Sequence, residues 1–302
     1  MTSPDIHAHR LPAKHRDLLS RLASVLGRER FVLFGGAPLD LLALRSRPVK
    51  DLDVALPLDP AAVQPCVDHL RACGCSTNGE VRRYWINLDQ PVLMVDVRWE
   101  NYLIDLNFVD EIERIPQFDI ESVIWRYPEL DYLDIYGAFG ALAARTLLPV
   151  HGLASNNPYL LLNRLVRLAA KYDLSLADNP LHLSMVRELS RRIRGWTAND
   201  DFHGRQAREA HHRSVAASTL RAKDPPAYLA DLACSGALQE SIPELHRLLC
   251  GSPASRFQLA GVTTPEGFWV TALSLMPATE ACRLSDRLEA ARASPYATEE
   301  TR

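Results

Sequence analysis

Residues 33–57 read LFGGAPLDLLALRSRPVKDLDVALP. The apolar run that stops at Gly35 and Gly36 is typical of a buried strand, and a helix-compatible segment follows it at once. Asp51 and Asp53 then follow in a second apolar run, separated by one residue. On a strand, residues two apart share a face, so both carboxylates are predicted to point the same way. The predicted order is strand, glycine pair, helix, and a strand that carries paired acids.

Each part of this pattern suits nucleotide chemistry. Glycines let a backbone approach a ligand closely because they lack a Cβ atom, and a helix N-terminus favours phosphate. Convergent carboxylates from Asp51 and Asp53 are the ligands that Mg²⁺ prefers. Two metal ions held in this way activate an attacking hydroxyl and stabilise a leaving pyrophosphate. We therefore predict a site for Mg²⁺ (or Mn²⁺) and a nucleoside triphosphate, with Gly35 and Gly36 around the triphosphate.

A third carboxylate is expected from a neighbouring strand. Asp105 is preferred because it lies inside YLIDLNFVD, residues 102–110, where its neighbours are mostly apolar. Asp96 in LMVDVRW, residues 93–99, is the alternative on the other strand of a predicted hairpin. In this hypothesis Asp51, Asp53 and Asp105 are both the catalytic and the metal-binding residues.

The two halves of the chain differ in the secondary structure that their sequence patterns predict. The first half mixes strand-like and helix-like segments, whereas after about Pro149 the pattern is helical and punctuated by Pro and Gly. Strands are predicted at 30–34, 51–56, 84–88, 92–99 and 103–109, and helices at 16–27, 38–45, 60–73, 158–176, 181–194, 203–222, 227–235, 241–250 and 265–276. The predicted fold class is α+β, with a small mixed β-sheet head at 1–150 and an all-helical neck or body at 151–302. The tail beyond about 294 is predicted to be disordered.

Composition excludes several classes of protein. Of the 302 residues, 47% are hydrophobic and 24% charged, with a net charge of −3, which is ordinary for a globular protein. The chain has neither a membrane-length apolar run nor the pattern of a signal peptide, so a cytoplasmic location without membrane contact is expected. Residues 151–223 carry 12 Lys and Arg against 6 Asp and Glu. This basic segment suits a phosphate backbone such as RNA, although solvated helix faces explain it equally well.

Residues 28–180 resemble the head of the CCA-adding enzymes and bacterial poly(A) polymerases, within the DNA polymerase β-like nucleotidyltransferase superfamily. The glycine pair and DLD at 51–53 match that family's GG…DxD element, and Asp105 falls on its third acidic ligand. QFDIESVIW at 117–125, LDIYGAFGALAARTLLPVHG at 133–152 and NPYLLLNRLVRLAAKYDLSL at 157–176 follow in the family's order. The resemblance implies nucleotidyl transfer at an RNA 3′ end.

The resemblance also implies which cations meet the triphosphate. Arg47 and Lys50 match the family loop before the paired acids, with exposed loop charges as the alternative, and Arg164 and Arg167 match two helix arginines. Other family positions have changed: an Arg after the glycines is Leu39, the family's Asn falls on Glu121, and its base-reading acidic and basic motif has no clear counterpart. These departures concern base and acceptor choice more than the metal site.

Three hypotheses follow. The first is RNA 3′-end nucleotidyl transfer, favoured by the resemblance and by the basic segment. The second is nucleotidylation of a small molecule or a protein, favoured by the altered motifs and the overall acidity. The third is a descendant that binds nucleotide or RNA without turnover. His203, His211 and His212 lie among arginines on one polar helix, which predicts a solvated or RNA-facing surface and not a metal cluster.

Overall fold

A computed structural model describes residues 13–26, 31–39, 51–87, 90–99, 102–109, 111–128, 131–153, 157–197, 202–221, 224–251, 253–262 and 264–293. The chain divides into two compact units, which we call the head unit and the helical unit. The head unit comprises Met1–Ala144 and Leu148–Ser155, and the helical unit comprises Arg145–Leu147 and Asn156–Arg302. The predictions for residues 40–45, for Arg47 and Lys50, and for the tail beyond 294 lie outside the described residues.

In the head unit the described strands form one mixed seven-stranded sheet. Its order is β3-β4-β5-β2-β1-β6-β7. The β2–β5 pair is parallel and the other neighbouring pairs are antiparallel. The strands are β1 (Phe31–Phe34), β2 (Asp51–Pro57), β3 (Ser76–Asn87), β4 (Gln90–Trp99), β5 (Tyr102–Val109), β6 (Val123–Tyr127) and β7 (Asp131–Asp134). The helices of the head unit are α1 (Ala13–Leu26), α2 (described from Gly36 to Leu39), α3 (Val63–Ala72) and α4 (Ala138–Ala144).

The two faces of the central strands differ in chemistry. One face is apolar, and seven of its residues are at most 1% exposed: Leu52, Val54, Leu56, Val95, Val97, Ile104 and Leu106. The other face alternates with it and carries Asp53, Asp96 and Asp105, each half-buried. Further along, this second face becomes a smaller apolar cluster that includes Val32, Ala55, Val92, Val109 and Ile124. The sheet therefore has buried apolar residues on both faces, and its carboxylates remain partly exposed to solvent.

The strands predicted from β1 to β5 are confirmed, and β3 begins earlier than expected. Strands β6 and β7 are not predicted from the sequence pattern. Val123, Ile124 and Trp125 of β6 are all buried, so this strand lacks the alternation that marks a half-buried strand. A short apolar run of this kind cannot be assigned from periodicity alone.

The helical unit contains no strand among its described residues, as predicted. Its helices are α5 (Pro158–Lys171), α6 (Pro180–Thr197), α7 (Phe202–Arg221), α8 (Pro225–Ser235), α9 (Ala237–Ser241), α10 (Pro243–Gly251), α11 (Pro253–Ala260), α12 (Pro265–Ser274) and α13 (Ala278–Ala293). The predicted α+β class, a mixed-sheet head followed by a helical domain, is confirmed. Within the described part of the chain, no helix is both long enough and apolar enough to span a bilayer.

The surface predicted around the histidines of α7 is wrong. α7 packs against α5, α8 and α13, and His211 is only 1% exposed. The His211 ring is joined to Ser241 Oγ by a 2.9 Å hydrogen bond, and His212 Nε2 donates to the Glu240 carbonyl at 3.0 Å. A helix of polar composition thus lies inside the unit, and each of the two histidine rings has one hydrogen bond there. The side chain of His203 lies outside the described residues.

We expect the stability of the helical unit to fall as the pH drops from about 6.5 towards 4. Burial is the main cause that lowers the pKa of His211 from 6.5 to about 3 and that of His212 from 6.5 to about 4. Both rings are neutral in the folded unit, so the unfolded chain binds more protons across this window. The contribution of these neutral rings to stability is fully present above pH 6.5. Below that pH, each ring lowers the free energy of unfolding by about 1 kcal/mol per pH unit. Hydrogen exchange of α7 amides, corrected for the intrinsic effect of pH, measures this loss.

The matched variants for that measurement are His211→Gln and His69→Gln. The first keeps an amide that can bond Ser241 and removes a buried titrating ring, so its acid dependence should be shallower than that of the wild type. The second changes a histidine on the exposed face of α3 and should leave the dependence unchanged. Equal slopes in all three proteins would contradict the assignment to His211.

Candidate functional site

Carboxylates from three neighbouring strands form a row across the sheet. Asp53 of β2 is paired in register with Asp105 of β5, and Asp105 is paired in register with Asp96 of β4. Residues directly opposite each other on paired strands project from the same face. We call Asp53, Asp105 and Asp96 the carboxylate row. The preferred third carboxylate and its alternative thus both lie in the row, with Asp105 in the middle.

The turn after β1 lies against this row. Gly35 has φ +73°, and a Cβ atom there would lie 3.1 Å from Asp53 Cγ and closer still to Asp53 Oδ2. Any side chain would collide with the carboxylate, and the positive φ also favours glycine. Gly35 is predicted to lie beside the triphosphate, and its lack of a side chain also makes room for Asp53. Gly36 begins α2 immediately afterwards.

Asp105 is partly shielded from solvent, and its backbone carbonyl is bonded to a buried side chain. One of its carboxylate oxygens, Oδ1, is shielded from solvent. Asn107, two residues later on the same face, is 5% exposed and donates from Nδ2 to the Asp105 carbonyl at 2.9 Å. Asn107 separates the carboxylates from the apolar cluster that contains Ala55 and Val109. Asn107 is not predicted as a site residue, because a single Asn inside an apolar strand shows no recurring spacing.

The structure does not describe every predicted site residue. Asp51 begins β2 opposite Leu103, but the prediction for its side chain lies outside the described residues, as do those for Arg47 and Lys50. Among the described side chains, no three His, Cys, Asp or Glu residues converge on a point that could hold a metal ion. Asp53, Asp105 and Asp96 therefore form a line and not a three-carboxylate cage.

Arg164 and Arg167 belong to the helical unit, on α5. Asn157 caps this helix by accepting from the backbone N–H groups of Tyr159 and Leu160 at 3.0 and 3.3 Å. Arg164 is half-buried and Arg167 is exposed. The pKa of Tyr228 on α8 is raised by burial and by the nearby Asp231, whereas the charge of Arg167 opposes that rise. Arg167 therefore lies close enough to α8 to act on it electrostatically.

The segment matched to a family motif at 117–122 is buried and has a local structural role. Asp119 is 8% exposed, and its Oδ1 accepts from the N–H groups of Ile120 and Leu148 at 2.8 and 3.0 Å. Ser122 is fully buried and donates to Asp134, whose carboxylate also accepts from Ala138 N at 2.7 Å. These bonds join the sheet to the start of α4. Sequence spacing does not predict the Asp119–Leu148 and Ser122–Asp134 bonds, because their partners are 29 and 12 residues apart.

Comparison with known proteins finds similarity in structure only. No protein-family model matches the chain, and no curated protein matches it in sequence. A tRNA-processing enzyme in its apo form I superimposes with a TM-score of 0.53 at 12% identity, over 96% of this chain and 76% of that one. A tRNA nucleotidyltransferase complexed with a primer tRNA and an incoming ATP analog gives 0.54 at 13% identity, over 90% and 80%. A CCA-adding enzyme in its apo form II gives 0.55 at 14% identity, over 93% and 69%.

These likenesses extend through both the head unit and the helical unit, since each covers at least 90% of this chain. At identities of 12–14%, the similarity supports a shared fold and says nothing about the substrate. The resemblance first found in residues 28–180 is thus confirmed at the level of fold: the chain has the fold of CCA-adding enzymes and related tRNA nucleotidyltransferases.

Proposed function

We propose that the protein is a metal-dependent nucleotidyltransferase. It would move a nucleoside monophosphate from an NTP to an acceptor hydroxyl and release pyrophosphate, and an RNA 3′ end is the favoured acceptor. One observation carries the proposal: Asp53 and Asp105 stand in register on parallel strands, beside a glycine whose missing side chain makes room for Asp53. A nucleotidyltransferase fold around this arrangement supports it.

The described residues fit a divalent cation. Asp53 and Asp105 supply carboxylate oxygens from adjacent strands, about 4.8 Å apart, which suits short bonds of about 2.1 Å to Mg²⁺. Asp51, two residues before Asp53, is proposed as their partner. Mg²⁺ or Mn²⁺ bound there would lower the pKa of an attacking hydroxyl and offset the charge of the leaving pyrophosphate. Directly opposed like charges destabilise a sheet, and a bound cation would remove this repulsion.

The geometry favours Asp105 over Asp96 as the third ligand. Asp96 lies two strands away from Asp53, at about 9.6 Å, and aspartate side chains that stand upright on a sheet cannot close this gap around one small ion. The lack of a three-acid convergence among described side chains agrees with this separation. Asp105 would orient the acceptor hydroxyl and accept its proton as the new phosphate ester forms.

Two features support an RNA acceptor. Arg187, Arg191 and Arg194 are exposed on α6 at helical spacings of four and three, so they form one basic stripe. Glu188 pairs with Arg191 at 2.6 Å and partly offsets it. The second feature is that one structural neighbour is a tRNA nucleotidyltransferase complexed with a primer tRNA. Since the buried histidines remove part of α7 from the predicted basic surface, α6 is the better candidate within 151–223.

Transfer of labelled nucleotide tests the proposal. The purified protein is incubated with each α-labelled NTP, Mg²⁺ or Mn²⁺, and total RNA, beside the Asp51→Ala/Asp53→Ala double variant. Label in RNA that requires the aspartates and disappears with EDTA is the expected result, and the preferred NTP identifies the transferred nucleotide. Pyrophosphate release in a cell extract without labelled RNA would point to a small-molecule or protein acceptor. No NTP consumption with any acceptor would overturn the proposed activity.

A further inference from the structure

Two pairs of histidine and cysteine lie outside the proposed site, each on one helix at a spacing of four residues. At the end of α3, His69 Nε2 and Cys73 Sγ are 3.6 Å apart. On α10, His246 Nε2 and Cys250 Sγ are 3.4 Å apart. Residues four apart share a face of a helix. Imidazole nitrogen and thiolate sulfur are ligands that suit Zn²⁺ and related divalent cations.

The separation of the two ligand atoms on α3 matches that of two ligands on one zinc ion. Bonds of about 2.1 Å to nitrogen and about 2.3 Å to sulfur, at a tetrahedral angle, place these atoms about 3.6 Å apart. The same distance suits a hydrogen bond, so the side chains of His69 and Cys73 already point towards each other. A cation that binds between them releases the thiol proton to solvent. Zinc-binding helices use this same spacing of four residues.

The backbone beneath this pair is fixed by hydrogen bonds. Cys73 N donates to the His69 carbonyl at 3.0 Å, which joins the two ligand residues through the helix. Gly74, with φ +86°, follows the helix, and Cys75 N returns to the Leu70 carbonyl at 3.1 Å. This left-handed cap holds Cys73 at the end of α3. The C-terminal end of a helix also carries partial negative charge, which favours a cation.

Exposure distinguishes the pair on α3 from the pair on α10. His69 and Cys73 are both exposed, so an ion bound there can keep water molecules as further ligands. His246 is half-buried, and burial and the adjacent Arg247 lower its pKa. A cation bound at His246 would lose water from its shell and would meet that positive charge. The pair on α3 is therefore the better cation site.

We propose that His69 and Cys73 form a two-residue clamp for a zinc-class cation, with water at the remaining positions. No third His, Cys, Asp or Glu converges with them among the side chains that the structure describes, so the described chain supplies two ligands. Thiolate and imidazole select Zn²⁺ or Co²⁺ over Mg²⁺, which prefers oxygen. The clamp thus differs in chemistry from the carboxylate row.

Cobalt tests the clamp, because a cobalt–thiolate bond gives a near-ultraviolet charge-transfer band that oxygen ligands do not give. The full chain, reduced and freed of metal with EDTA, is titrated with Co²⁺ and then with Zn²⁺. Co²⁺ should produce the band, Zn²⁺ should remove it, and excess Mg²⁺ should leave it unchanged. Cys73→Ser should abolish the band. His69→Gln should weaken Co²⁺ binding about tenfold or more, since even a group that only supports a metal ligand contributes about 10–100-fold to affinity.

The matched controls are His246→Gln and Cys250→Ser, which alter the pair of equal spacing on α10. Both should keep the band and the wild-type affinity. Without metal, His69→Gln and Cys73→Ser should unfold at the wild-type temperature, because both side chains are exposed. A band that survives Cys73→Ser, or that Cys250→Ser abolishes, overturns the assignment to α3, and no band in the wild type overturns the clamp. These readouts need no nucleotide, so they are independent of the outcome for nucleotidyl transfer.

Discussion

Replacing Asp53 with alanine is expected to lower kcat/KM for nucleotidyl transfer about 1,000-fold. The substitution removes a proposed metal ligand, a contribution of several kcal/mol, and each 1.36 kcal/mol is a factor of ten in rate. Thermal stability should change far less than activity, because Asp53 lies directly opposite Asp105 and relief of repulsion between these like charges offsets the interactions that Asp53 loses. Labelled-nucleotide transfer measures the activity, and thermal unfolding of the same samples measures the stability.

The matched control for Asp53 is Asp68→Ala. Asp68 is exposed on α3 and paired with Arg71 at 3.1 Å. Its substitution removes one negative charge, as Asp53→Ala does, but at a position outside the carboxylate row. Activity should stay close to that of the wild type. An Asp53→Ala protein with activity within tenfold of the wild type would remove Asp53 from the proposed metal site. A large drop in the thermal midpoint would instead indicate that Asp53 has a structural role.

Gly35→Ala is expected to cost about 100-fold in activity. The added methyl group would lie 3.1 Å from Asp53 Cγ and nearer to its Oδ2 oxygen, so the carboxylate must move. A displacement of about 1 Å in a reacting group can cost about 100-fold. The backbone contributes separately, since φ is +73° and a left-handed residue other than glycine costs about 1–2 kcal/mol of stability.

Gly74→Ala separates these two effects. Gly74 has φ +86°, and a Cβ there would meet nothing within 4 Å. It should lose a similar amount of stability and keep its activity. If both variants lose activity in proportion to stability, the contact between Gly35 and Asp53 has no catalytic consequence. If Gly35→Ala stays active while destabilised, Asp53 has moved aside without harm and does not need its present position.

Local sequence pattern was sufficient for the strands that carry the candidate site. Leu52 and Val54 alternate with Asp51 and Asp53, and a half-buried strand is the simplest structure that separates such residues onto two faces. The same pattern failed for β6, which is buried on both faces, and for α7, whose polar composition hides a central position. Periodicity detects burial on one side of an element, so it detects neither a strand that is buried on both faces nor a polar helix that lies inside the core.

The sequence by itself determined the order of strands β1 to β5, the shared face of the paired aspartates and the resemblance that pointed to nucleotidyl transfer. Only the tertiary structure decided that Asp105 stands next to Asp53, that Asp96 lies beyond both, and that Gly35 touches the row. The physical reason is the separation along the chain over which each property is set. Alternation along a strand is a local property of the backbone, whereas register between β2, β5 and β4 depends on pairing between segments tens of residues apart.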